Sequence, residues 1–77
     1  MVFEVQVPTG RPADGKLVTV RTTSPTRESA LAFALHQVRS EYNLRQFLAL
    51  DPNPGAETRK YVLLSDNRVA AYVTRYE

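Results

Sequence analysis

Chemistry in this chain must start from a short set of side chains: one histidine, His36, and the loop carboxylates Asp14, Asp51, Glu57 and Asp66. To these can be added four tyrosines and eight arginines. A nucleophile triad needs Ser or Thr beside His36 and an orienting acid. No spacing supplies that set, and a helical wheel places His36 in solvent, away from any apolar stripe. The carboxylates fall among turn formers, where Asp serves local amides. No acidic loop of the calcium-binding type occurs. The loop from Pro8 to Gly15 holds two glycines with Arg11, and Lys16 follows it, but it lacks the spacing of either phosphate-cradling glycine motif. Without cysteine there is no thiolate metal site and no disulfide. The expectation is a protein that is not an enzyme and carries no catalytic residue, metal site or cofactor.

What remains is recognition chemistry. Tyrosine offers a large contact area with little loss of side-chain entropy, and it is enriched beside Arg in interface cores. Tyr61, Tyr72 and Tyr76 all lie in the last third of the chain, close to Leu63 and Arg59. They belong to one β-hairpin from Arg59 to Glu77. With Asp66-Asn67 as its turn, Leu64 pairs with Val69, Val62 with Ala71 and Tyr61 with Tyr72. Alternation then gives one face of Val62, Leu64, Val69, Ala71 and Val73, and another of Tyr61, Leu63, Tyr72, Thr74 and Tyr76. The aromatic face is either a recognition surface or a set of cross-strand pairs that stiffen an exposed sheet. In a third arrangement the faces are inverted and the tyrosines form the core. A three-residue loop would shift the register by one and dissolve the Tyr61–Tyr72 pair.

The elements that position these residues follow from periodicity. Phe3, Val5 and Val7 alternate with Glu4 and Gln6, as in a half-buried strand. Lys16 to Thr23, rich in Val and Thr, forms a second strand hairpinned to the first. Ser24-Pro25 reads as a helix start, with Ser at the N-cap and Pro next. Leu31, Ala34, Leu35, Val38 and Tyr42 make the buried stripe, and Asn43 the stop. Phe33 points away from that stripe, with Ala30, Gln37, His36 and Ser40 around it. A Phe there is a contact for a partner or an unremarkable exposed residue. Leu44 to Leu50 fits an extra helical turn or, by its Leu44, Gln46, Leu48, Leu50 alternation, a strand; the strand is preferred. Asp51 to Thr58 is a second exposed loop.

The order ββαβββ predicts an α+β domain, residues 1–77: an antiparallel sheet of four to five strands packed on one helix in two layers. At 77 residues and 8.7 kDa the core is small, so either it is efficient or another chain adds to it. The N-terminus does not resemble a signal peptide and no apolar run reaches bilayer length, so a cytoplasmic protein that does not span a membrane is expected. The net charge is +2 and the sequence pI about 9.3, yet ten basic residues are interleaved with eight acidic ones and never cluster.

Together these features favour a small protein-interaction module, homodimeric and binding another protein, that acts through Tyr61, Leu63, Tyr72, Tyr76, Arg59 and Phe33. The alternative is a single-stranded nucleic-acid binder, with sheet tyrosines stacked on bases and Arg21, Arg45, Arg59 and Arg75 on phosphates.

Overall fold

The computed structural model describes residues 1–9, 16–50 and 55–76. Its elements are β1 (Val2–Pro8), β2 (Leu17–Thr23), α1 (Arg27–Gln37), a single 3-10 turn (Leu44–Gln46), β3 (Phe47–Ala49), β4 (Thr58–Leu63) and β5 (Asp66–Tyr76). The five strands form one antiparallel sheet in the order β2-β1-β5-β4-β3, and α1 packs on one face of it. This is the expected two-layer α+β architecture. The core lies between the layers: Phe3, Val5 and Val7 of β1, Ala71 and Val73 of β5, and Ala30, Leu31, Ala34 and Leu35 of α1.

The helix starts two residues later than its Ser24-Pro25 signal. Thr26 is the N-cap, and it exchanges hydrogen bonds with Ser29 in a capping box. Ser24 is drawn into the sheet instead, donating its N–H to the Met1 carbonyl at 3.0 Å. The helix also ends earlier than Asn43. Arg39 adopts φ 55°, Ser40 N–H reaches back to Leu35 O and Arg39 N–H to His36 O, a Schellman ending. Asn43 caps the following 3-10 turn. Ala30, expected beside Phe33 on the outer side, is fully buried, because the stripe widens by one position toward β1 and β2.

The segment 44–50 divides between the two readings, a 3-10 turn followed by a three-residue strand. Its alternation is real but inverted: Phe47 enters the core while Leu48 stays exposed. Tyr42 packs edge-on to Phe47, with ring centroids 6.1 Å apart, which closes that end of the core.

The last hairpin forms, with a different register. Leu64 and Ser65 make its turn, and Leu63 pairs with Asp66. The ladder then slips between Leu63 and Val62, so that Val62 faces Ala70, Tyr61 faces Ala71 and Lys60 faces Tyr72. The Asp66 carboxylate accepts the Arg68 N–H at 3.0 Å, holding the surplus residues of β5 in a bulge. Relative to a ladder turning at Asp66-Asn67, the two arms are displaced by one. Side chains alternate with period two, so that displacement flips one arm. Tyr61 and Leu63 thus turn into the core, and the Tyr61–Tyr72 pair does not exist.

Candidate interaction surface

The sheet's register assigns each strand residue to a face. Beneath α1 lie Phe3, Val5, Val7, Val18, Val20, Val69, Ala71, Val73, Arg75, Arg59, Tyr61, Leu63, Phe47 and Ala49. The opposite, helix-free face carries Tyr72, Thr74 and Tyr76 of β5 beside Val2, Glu4 and Gln6 of β1. Thr19 and Arg21 of β2 flank them on one side, and Lys60 and Val62 of β4 on the other.

On this free face the ladders pair Leu48 with Val62 and Val62 with Ala70, and at the far side Pro8 with Leu17. Leu48 is 53 % exposed, and Leu50 is 54 % exposed. Val62, though only 5 % exposed, is not part of the core cluster. Farther along, Arg21 stacks over Tyr76, its guanidinium 5.5 Å from the ring centre, and also pairs with Glu4 at 3.7 Å.

The expected contact residues are therefore divided between faces. Tyr72 is half-buried and Tyr76 exposed, both on the free face. Tyr61, 2 % exposed, and Leu63 are core. Arg59 lies on the covered face, where its guanidinium reaches Glu28 of α1 at 3.7 Å. Phe33 is 45 % exposed on the helix, as its spacing requires, and belongs to neither sheet face. Sequence reasoning missed Leu48 and Leu50 as surface residues. Their alternation was visible, but the segment alone does not say which parity points inward.

The covered face holds a cationic cluster with a structural task. Arg27, first residue of α1, is almost wholly buried. Its guanidinium donates to Val73 O at 3.0 Å, to Glu57 O at 2.9 Å and to Ala56 O. It thereby ties the helix start to β5 and to the chain entering β4. Burial, and after it the charges of Arg59 and Arg75, lower the Arg27 pKa. Tyr61 places its hydroxyl beside Arg59 without meeting hydrogen-bond geometry. Burial first, and then the Glu28 carboxylate, raise its pKa. A buried cation donating to three carbonyls is a strut, with three of its five donors spent inside the fold.

A shallow groove of 540 Å³ runs between α1 and residues 40–45, with Leu35 at its base and His36, Tyr42 and Arg45 on its walls. Among the described residues no carboxylate lines it to orient His36. Ser40 bonds Pro8 O and the Tyr42 N–H, so its hydroxyl serves the loop. Arg11, Asp14 and Asp51 lie outside the described residues. Among the described residues no helix is long and apolar enough to cross a membrane. Comparison with protein-family models, with curated proteins and with solved structures finds no match.

Proposed function

We propose that this chain is a small, non-enzymatic protein-interaction module, homodimeric, whose helix-free sheet face receives another protein. The observation that carries this reading is the set of apolar and aromatic side chains on the helix-free face, exposed Leu48, Leu50 and Leu17 toward its margins and Tyr72 and Tyr76 between them, on which no helix or strand packs among the described residues. Exposed apolar and aromatic side chains gathered on one sheet face mark contact sites. The covered face keeps Tyr61, Leu63 and Arg59 for the fold, which leaves Tyr72 and Tyr76, joined by Leu48 and Leu50, as the contact residues.

The distribution of arginines weighs against single-stranded nucleic acid. Of Arg21, Arg45, Arg59 and Arg75, only Arg21 shares a face with Tyr72 and Tyr76, and it is ion-paired with Glu4. Stacking platforms work beside a positive groove that tracks the phosphates, and here most of that charge sits elsewhere.

A photo-reactive phenylalanine analogue at position 72, set against one at exposed His36, tests the reading in extracts of the source cells. The expected result is a discrete protein adduct from position 72 alone, lost when Leu48→Asp is added and suppressed by excess unmodified chain. Equal labelling from both positions overturns it. So does tight binding of a labelled single-stranded oligonucleotide that weakens steeply with salt.

A further inference from the structure

The two edges of the sheet are not alike. β3 has three residues, too short to template another chain. β2 is seven residues long and contains no proline. The Ser24 N–H to Met1 O bond fixes the hydrogen-bonding parity of the β1–β2 ladder. Val18, Val20 and Thr22 direct their backbone groups to β1. Leu17, Thr19, Arg21 and Thr23 direct theirs to the open side. The one charged residue of this strand does not guard the edge, because Arg21 is drawn back across the sheet to Glu4 and Tyr76.

The core also runs out at this edge. Val18 faces the helix layer yet is 39 % exposed. Phe33 sits five residues beyond Glu28, about 140° round the helix. Since Glu28 reaches toward β4, Phe33 is turned from that flank and toward the β2 side. Backbone groups, an under-covered valine and an exposed phenylalanine thus share one border.

We propose that a second copy of this chain pairs antiparallel along β2, with the two-fold axis at Val20. The inference rests on the homodimer part of the proposed function and places its interface. Parity admits only registers in which the outward residues meet one another. Centring on Val20 pairs Leu17 with Thr23 and Thr19 with Arg21, using every outward residue of the strand. Centring on Arg21 would set two guanidiniums opposite each other, and centring on Thr19 would leave Thr23 unpaired. Charge and length therefore select the same register. The axis stands perpendicular to the sheet, so both helices lie on one side, with their Phe33 flanks toward the junction. The result is a ten-stranded sheet whose free face stays open on both halves.

Two experiments on the full chain test this. The chain has no cysteine, so a single introduced thiol reports one pairing. Val20 meets its own copy in a non-hydrogen-bonded pair, where Cα atoms stand ~4.5 Å apart, within disulfide range. On oxidation Val20→Cys should convert mostly to a linked dimer, and Thr22→Cys, which faces Val18 of the second copy, should stay reduced. Thr19→Pro removes only an outward N–H; light scattering should fall from two chains to one with unchanged circular dichroism. Should that variant unfold, Val18→Lys, an inward charge on the same edge, must give the same fall. A two-chain mass that survives these variants but is lost in Leu48→Asp overturns the β2 interface and leaves the homodimer standing. A one-chain mass for the unmodified protein at high concentration overturns both.

Discussion

The two faces of this sheet carry residues that composition alone would exchange. The covered face has three arginines and a tyrosine hydroxyl near the start of α1, and the free face has leucines more than half exposed. Under the helix, polar atoms are tolerated because Arg27 donates to Val73, Glu57 and Ala56. On the free face the apolar side chains of Leu48 and Leu50 stay exposed. Burial here follows strand parity, and a charged side chain belongs to the interior when its donors meet carbonyls.

Replacing a core residue and a free-face leucine should separate the faces most widely. Leu31→Ala is expected to destabilise by about 3 kcal/mol in urea unfolding, and Leu48→Ser by less than about 0.5 kcal/mol. Comparable losses would mean that Leu48 supports the fold rather than a contact. Next in size is Arg27→Ala, which leaves buried carbonyls short of a donor and should cost about 2 kcal/mol. Lysine cannot reproduce the planar fork, so Arg27→Lys should recover only part of that loss.

Tyr61→Phe probes the same face through pH. Its pKa is raised in the folded chain, so the phenol stays neutral there while an unfolded chain ionises. Stability from this group is complete below the ordinary tyrosine pKa, near 10, and is lost as pH rises through the raised folded value. Tyr61→Phe should therefore flatten the alkaline limb of the unfolding curve with little change at pH 7. The smallest effect belongs to the bulge. The Arg68 N–H, and then its side chain, hold the Asp66 carboxyl below its ordinary value of 3.8. That contribution is present above the ordinary carboxylate range and fades as pH falls through the lowered folded value. Asp66→Asn should thus soften the acid limb slightly, and an unchanged acid midpoint would show that the bulge does not depend on the carboxylate.

Much of the fold was legible in the residues because it rests on local patterns. Phe3, Val5 and Val7 alternate cleanly, and Leu31, Ala34 and Leu35 keep helical spacing. The free-face position of Tyr72 and Tyr76 followed from alternation within β5 alone. Tyr61 was misplaced because its face depends on how two arms align, and a local hydrogen bond at Asp66 shifted them by one. The capping signals were equally local but competing: Ser24 and Thr26 both suit an N-cap, and the Met1 carbonyl claimed the amide of Ser24. Arg27 lies four residues before Leu31, so its inward direction was implied by spacing, though its charge argued against burial.

The pairing of β1 with β5 has a consequence for the order of assembly. These strands are neighbours at the centre of the sheet, Val2 lying opposite Tyr76, although they stand at opposite ends of the described chain. During synthesis the β1–β2 hairpin and α1 emerge first, with the β5-facing border of β1 open. Phe3 and Val5 then await Arg75 and Val73, among the last described residues to leave the ribosome. A closure of such long sequence separation comes late and is slow. A nascent chain halted within β4 would thus present a central strand with its β5-facing border unpaired, and pausing or chaperone capture should act most strongly at that length.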